Sequence, residues 1–193
     1  MNIVLDLSAP IFCILLCIGC AIAWFLWKKR NWQFRYWLVP VFMCYILMLI
    51  KVTLFPIHIF VKEILDKIMA GVGKYYVFYQ VVPFASIKNY FNSGAAIQLV
   101  GNIALLSPLA VFAEIFSRQR PKAWAVALGV SSISIFIEIT QLVINLATQY
   151  PNRVADVDDL MLNIAGIILT IFMTRCTGKH QNMRKVFQKV LYR

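Results

Sequence analysis

Charged residues are scarce in this sequence: lysine, arginine, aspartate and glutamate make up 14% of its 193 residues, whereas 61% are hydrophobic. An ordinary soluble domain has about a quarter of its residues charged. The hydrophobic residues also fall in long blocks that the core of a soluble domain could not cover. The composition therefore excludes an ordinary soluble fold and predicts an integral membrane protein.

Motifs of common enzyme classes are also missing. The chain has no Gly-x-Ser-x-Gly nucleophile elbow, no phosphate-binding glycine loop and no zinc helix with paired histidines. Its two histidines, His58 and His180, are predicted on opposite sides of the membrane, and its cysteines are expected to be apolar packing residues. The sequence therefore indicates no cofactor, and it leaves the use of a metal ion open.

Five hydrophobic segments have the character of membrane spans, for which a helix needs about 20 mostly apolar residues. They cover approximately residues 8–27, 37–57, 98–116, 123–146 and 160–174. The last is short, and a start within the acidic loop before it would lengthen it. We therefore predict an all-α membrane helix bundle of about five transmembrane helices. Its parts are an N-terminal helix and loop (1–36), a membrane domain (37–174) and a basic tail (175–193).

Basic residues mark every second connection, and these connections hold 13 of the 19 lysines and arginines. They are Lys28, Lys29, Arg30 and Arg35, then Arg118, Arg120 and Lys122, then Arg175, Lys179, Arg184, Lys185, Lys189 and Arg193. Because basic residues favour the cytoplasmic side, we predict a multi-pass protein with its N-terminus outside and its C-terminus in the cytoplasm. The same pattern explains most of the net charge of +11, so nucleic-acid binding is not predicted.

The segment between the second and third spans, residues 58–97, is predicted on the extracellular side. Residues 59–70 have helical spacing of apolar side chains, and a cluster of aromatic residues follows them. Aromatic side chains of this kind favour the membrane interface. We therefore expect short interfacial helices that cap the outer end of the bundle.

Polar residues in the predicted spans converge on the outer half of the bundle. Ionisable groups there cost about 2.5–3.5 kcal/mol each on insertion scales, so each needs a reason. The candidate ligand-binding residues are Asn102, Glu138, Gln141, Arg153, Asp156, Asp159 and Asn163. Lys51 is a candidate charge partner for Glu138. The alternative is that these groups only join helices by hydrogen bonds and ion pairs. Near the inner edge, Glu114 is expected to snorkel or to pair with Arg118.

The stretch from Arg153 to Gly166 resembles the signature of VanZ-like membrane proteins. That signature has an arginine, two aspartates three residues apart, then an asparagine and a glycine at the start of the final helix. Arg153, Asp156, Asp159, Asn163 and Gly166 match it in order.

Earlier elements of the sequence match the same family. Glu138-x-x-Gln141 is similar to its Glu-x-x-Gln element, and Asn102 to Pro108 resembles its asparagine-to-proline element. The resemblance covers about residues 37–174. It implies a bacterial cell-membrane protein, and the family takes its name from a protein that raises resistance to teicoplanin, a glycopeptide antibiotic that bears a lipid.

Three functions remain open. The first is an envelope protein whose outer-leaflet site binds a lipid, a lipid-linked cell-wall precursor or the lipoglycopeptide itself, with Arg153 holding an anionic group. The second is a membrane enzyme with Glu138, Asp156 and Asp159 as candidate catalytic acid–base residues or metal ligands. The third is a small transporter with Glu138 and Lys51 as a relay. The oligomeric state is not predicted.

Overall fold

A computed structural model describes residues 2–29, 38–72, 78–117, 121–176 and Lys185. The described chain is a bundle of helices with two very small sheets, which confirms the predicted all-α class. Several charges used to predict the orientation, and His180, lie outside the described residues. They are Arg30, Arg35, Arg118, Arg120, Lys179, Arg184, Lys189 and Arg193. The orientation in the membrane therefore stays a prediction.

The described residues form eight helices and four short strands. The helices are α1 (Ala9–Lys29), α2 (Leu38–Leu54), α3 (Lys62–Val72), α4 (Ala85–Asn92), α5 (Ala96–Leu105), α6 (Ser107–Phe116), α7 (Ala123–Thr148) and α8 (Val157–Cys176). Strands β1 (Asn2–Leu5) and β2 (Ile57–Phe60) pair antiparallel. Strands β3 (Tyr79–Gln80) and β4 (Ala155–Asp156) pair in parallel.

Three helical segments are long and apolar enough to cross a membrane: Ala96–Glu114, Ala123–Thr148 and Val157–Cys176. Ala9–Phe25 and Leu38–Leu54 are shorter apolar helices. These segments coincide with the five that the sequence predicts, although the number of membrane crossings stays a prediction. The last helix begins at Val157, inside the acidic loop, and so reaches 20 residues.

The third predicted span is broken into α5 and α6 at Leu106. Pro108 stands in the first turn of α6, where its missing N–H costs no hydrogen bond, whereas inside a continuous helix it would remove one. The hydroxyl of Ser107 donates to the Ile103 carbonyl at 2.9 Å and so satisfies a group near the break. The third predicted span is thus one apolar segment, Ala96–Glu114, that contains a break between two helices.

Helix α8 lies at the centre of the bundle and packs against α5, α6 and α7. Its Ile167 is fully buried and belongs to one apolar core with Leu106, Ala110 and Val130. Gly166 permits the close approach of α5, because a Cβ atom there would overlap the backbone carbonyl of Ile103. The missing side chain at Gly166 therefore allows close packing of α8 on α5 within one chain.

The outer faces of the helices are apolar. Phe25, Phe136 and Phe172 are each more than 60% exposed in the isolated chain, and such faces suit lipid rather than water. The cysteines of α1 lie on this surface too: Cys13, Cys17 and Cys20 are exposed free thiols. Helix α1 packs along α2 and leaves these positions exposed in the isolated chain, and their role as apolar packing residues stays a prediction.

Candidate functional site

A polar cleft of about 530 Å³ opens where α7 ends and α8 begins, which we call the cleft end of the bundle. Side chains from α2, α4, α5, α7, α8 and the α7–α8 loop line it. All seven residues predicted from the sequence are among them: Asn102, Glu138, Gln141, Arg153, Asp156, Asp159 and Asn163. The structure thus brings the predicted set together, while its role in binding stays a prediction.

One face of α7 supplies a polar stripe. Ser134, Glu138, Gln141 and Asn145 follow one another at helical spacing, so they point to the same side. Ser134 and Asn145 are fully buried, and Gln141 is 9% exposed. The sequence analysis identified only the middle pair, although the spacing of the stripe was visible in the sequence.

Asn145 and Asn152 fix the loop that carries Arg153. The Asn145 side-chain NH₂ donates to the Arg153 carbonyl at 2.5 Å, and its oxygen accepts from the Asn152 N–H at 2.9 Å. The Asn152 side-chain oxygen in turn accepts from the His58 N–H at 2.5 Å. The loop is therefore anchored both to α7 and to β2.

Asp156 holds the acidic stretch in place. Its backbone N–H donates to Glu138 Oε2 at 2.8 Å, which joins the loop to α7. Its carboxylate accepts from the Asp158 N–H at 2.8 Å through Oδ1 and from the Ser86 hydroxyl through Oδ2. Through these contacts Asp156 positions both the loop and the segment that begins α4.

Asp158 ties α4 to the bundle, a role that the sequence analysis did not assign. Its buried carboxylate accepts from the backbone N–H groups of Phe84, Ser86 and Ile87 at 2.6, 2.9 and 3.1 Å. These N–H groups lie at the start of α4 and have no partners within the helix. Their fixed position sets where Tyr90, further along α4, meets the cleft. From its sequence position, Tyr90 was predicted only as part of the interfacial aromatic cluster and not as a residue of the site.

Glu138 and Asp159 each keep one carboxylate oxygen open. Glu138 accepts the Asp156 N–H through Oε2, and Asp159 accepts the Asn102 NH₂ through Oδ1. In the described part of the chain, no donor reaches Glu138 Oε1 or Asp159 Oδ2. Both residues line the cleft, so the open oxygens are available to a ligand.

Two buried amide oxygens also lack a partner. Gln141 Nε2 donates to the Thr53 carbonyl at 2.9 Å, and Asn163 Nδ2 contacts the Ser134 hydroxyl at 3.0 Å. Among the residues that the structure describes, Gln141 Oε1 and Asn163 Oδ1 have no hydrogen-bond partner, although these side chains are only 9% and 2% exposed. An unsatisfied buried acceptor costs about 1–3 kcal/mol, which makes this pair the strongest sign of an absent ligand.

The electrostatic field of the cleft is negative. Burial, followed by the carboxylates of Asp159, Asp156, Asp158 and Glu138, raises the pKa of the Tyr90 phenol to about 12. This side chain stands on α4 and reaches the cleft from outside the long helices. Its pKa therefore reports an environment that disfavours further negative charge.

Basic residues do not neutralise that field. Arg153 is exposed at the edge of the cleft, and its Nη2 donates to the Phe55 carbonyl at 3.1 Å. Lys51 was predicted as a charge partner for Glu138, but its Nζ donates to the Leu7 carbonyl at 2.9 Å, and Lys51 does not line the cleft. The pairing of Lys51 with Glu138 was thus wrong, because Lys51 secures the segment before α1 instead.

The other end of the bundle, where α6 ends and α7 begins, has a closed ion pair. Glu114, which is 1% exposed, contacts Arg175 Nη2 at 2.6 Å and Nε at 3.2 Å through the same oxygen. Arg175 also donates to the Pro121 carbonyl at 2.8 Å. The expectation that Glu114 snorkels was wrong, and Arg118, its other expected partner, lies outside the described residues.

A metal site is not evident in the ranges that the structure describes, since no three histidine, cysteine, aspartate or glutamate side chains are grouped to hold an ion. The polar groups that the cleft offers to a ligand include two amide oxygens, two carboxylate oxygens and the Tyr90 phenol, which can donate or accept.

Comparison with known proteins agrees with the motifs. A family model described as VanZ/LLP1 matches residues 42–178, a range that includes every residue lining the cleft. No curated protein and no solved structure matches the chain. The match covers more than half of the sequence, so the chain belongs to the VanZ/LLP1 family, which confirms the resemblance recognised from its motifs.

Proposed function

We propose that this member of the VanZ/LLP1 family binds the polar headgroup of a membrane amphiphile in the cleft. The ligand would be a lipid, a lipid-linked cell-wall precursor or a lipid-bearing glycopeptide. With the predicted orientation, the cleft end faces the outer leaflet, where such molecules meet the membrane. Capture of the ligand or of its target there would lower the susceptibility of the cell to lipoglycopeptides.

The observation that carries the proposal is the pair of buried, unpartnered oxygens, Gln141 Oε1 and Asn163 Oδ1, in one cleft. A purely structural polar cluster would satisfy such groups within the protein, because each unsatisfied one is destabilising. The cleft volume of about 530 Å³ is also that of a typical small-molecule site.

The surroundings of the cleft favour an amphiphile. Val52 lines the cleft and is 52% exposed, and Ile97 and Val100 on α5 are exposed beside the lining residues Gln98 and Gly101. A headgroup in the cleft could therefore keep its hydrocarbon chain against apolar side chains and lipid. A soluble ligand would gain nothing from this exposed apolar rim.

An acid–base enzyme is a second candidate, favoured by the open oxygens of Glu138 and Asp159. Asp156 accepts internal hydrogen bonds through both oxygens, but each carboxylate oxygen can accept a second one, so Asp156 stays a candidate acid–base residue beside them. The enzyme would convert a bound amphiphile, so product formation on incubation with membrane lipids distinguishes it from a binding protein.

The test is the susceptibility of a glycopeptide-sensitive Gram-positive host that expresses the wild type, Glu138→Gln, Asp159→Asn or Thr140→Val at matched membrane levels. Thr140 is the control, because it neighbours Gln141 but donates to its own helix, at Phe136 O, 2.7 Å away. We expect protection against teicoplanin but not vancomycin from the wild type and Thr140→Val, and its loss in the two carboxylate variants. Equal susceptibility of all strains would contradict the resistance function in that host.

A further inference from the structure

We infer that the headgroup recognised by the cleft presents a protonated primary amine to Glu138, Gln141, Asp159 and Asn163. This inference rests on the proposed function and names the chemistry of its ligand. Four acceptors of the cleft await a donor: the amide oxygens of Gln141 and Asn163 and one carboxylate oxygen each of Glu138 and Asp159.

The direction of the Gln141 amide is fixed by its neighbour. Its nitrogen contacts the carbonyl of Thr53, which can only accept a hydrogen bond, so the Gln141 oxygen must be the atom left over. The Asn102 amide is fixed in the same way by the Asp159 carboxylate. The open oxygens of Gln141, Glu138 and Asp159 are thus acceptors, and they require a ligand that donates.

The negative charge of the cleft indicates which kind of donor group the ligand has. Three carboxylates line the cleft, at Glu138, Asp156 and Asp159, against one basic side chain, the exposed Arg153. A buried carboxylate is costly without a compensating charge. A neutral hydroxyl supplies one donor and no charge, whereas a primary ammonium supplies three donors and a positive charge. The three donors of an ammonium can satisfy three of these four acceptors, and its positive charge offsets part of the charge of the two open carboxylates.

Arg153 complements this arrangement at the rim. Within the described part of the chain, only its Nη2 is engaged, with the Phe55 carbonyl at 3.1 Å, so other N–H groups of the guanidinium can bind an anion. A headgroup with an inner amine and an outer phosphate would satisfy both the acceptors and Arg153. A phosphate inside the cleft would instead face the carboxylates, which repel it.

The experiment measures binding of short-chain phospholipids to the purified chain in uncharged detergent by native mass spectrometry. Three probes share the phosphate and the acyl chains: the ethanolamine headgroup has a primary ammonium, choline has a cation without N–H donors, and glycerol has hydroxyls without a cation. We expect the choline and glycerol lipids to bind about 10-fold or more weakly than the ethanolamine lipid.

Variants and a soluble probe test where the amine is held. Glu138→Gln and Asp159→Asn should each weaken ethanolamine-lipid binding by about 10-fold, whereas Thr140→Val should leave it unchanged. Phosphoethanolamine, which has no acyl chains, should bind far more weakly than the lipid. If it binds equally well, the amine is recognised but the proposed membrane amphiphile is wrong.

Other outcomes overturn the inference itself. Choline or glycerol lipids that bind as tightly as the ethanolamine lipid, and still depend on Glu138, would refute the amine while keeping a headgroup site. Stabilisation of the chain by Mg²⁺ alone, lost in Glu138→Gln, would assign the acceptors to a metal ion. Absence of any Glu138-dependent lipid binding would refute both the amine and the proposed function.

Discussion

Both ends of the bundle bury carboxylates, but the carboxylates have different kinds of partner at the two ends. At the opposite end from the cleft, Glu114 is matched by Arg175, which adds a further hydrogen bond to the Pro121 carbonyl. At the cleft end, Glu138 and Asp159 accept only from neutral groups within the described residues, the Asp156 N–H and the Asn102 amide, and no basic side chain pairs with them there.

This difference distinguishes residues that stabilise the fold from residues that the fold positions for a ligand. Removing one member of a buried ion pair leaves an uncompensated charge, whereas removing an uncompensated charge relieves a cost. Substitutions in the Glu114–Arg175 ion pair should therefore lower the free energy of unfolding, and substitutions in the cleft should weaken ligand binding. Four substitutions test this contrast, from the largest expected loss of stability to the smallest.

Arg175→Met should have the largest effect, because it strips the partner from a Glu114 side chain that is 1% exposed. We expect a loss of about 3 kcal/mol in the free energy of unfolding, measured by thermal unfolding of the purified chain in detergent. The double variant Glu114→Gln/Arg175→Met should recover part of this loss. A single variant as stable as the wild type would show that the ion pair contributes nothing.

Gly166→Ala should rank second. Its Cβ would overlap the Ile103 carbonyl, which is backbone and cannot rotate away, so α5 and α8 must separate. We expect a loss of about 2–3 kcal/mol, again by thermal unfolding. Gly101→Ala is the matched control, since a Cβ there meets no atom within 4 Å. Equal melting temperatures for the two variants would contradict the close packing of α5 on α8.

Asp158→Asn should have an intermediate and local effect. The amide keeps one acceptor oxygen for the three N–H groups at the start of α4, which the carboxylate satisfies with two. We expect a loss of about 1–2 kcal/mol, with faster hydrogen exchange confined to residues 84–92. Uniformly faster exchange throughout the bundle would contradict a capping role for Asp158.

Asp159→Asn should change stability least. The asparagine oxygen can still accept from Asn102, and the substitution removes a charge that has no ion-pair partner in the described chain. We expect the free energy of unfolding to stay within about 0.5 kcal/mol of the wild type, while amphiphile binding falls. A loss as large as that of Arg175→Met would mean that Asp159 is a structural residue.

Much of this arrangement was predictable from the sequence. Hydrophobic blocks of about 20 residues predict helices long enough to cross a membrane. Because successive spans run in opposite directions, Asn102, Glu138 and Asn163 are predicted at the same depth. The seven predicted residues consequently line one cleft. The heptad-like stripe on α7 could also have identified Ser134 and Asn145, whose regular spacing the sequence analysis did not use.

Other features depend on tertiary contacts that no sequence pattern encodes. Lys51 and Glu138 are predicted at a similar depth in the membrane. The Lys51 ammonium nevertheless donates to the Leu7 carbonyl, because the N-terminal segment folds over the end of α2. The same holds for Glu114, whose partner Arg175 is 61 residues away. Tyr90 and Asp158 meet around the cleft only because α4 docks on α8, a contact between elements separated by 64 residues or more.

The most direct test of the contrast between the two ends is native mass spectrometry of the chain purified from its host membrane with co-purified lipid retained. We expect a bound amphiphile on the wild type and on Thr140→Val, and its absence from a stable, folded Asp159→Asn. An identical set of bound lipids on all three proteins would contradict it, because the open carboxylates would then hold no ligand.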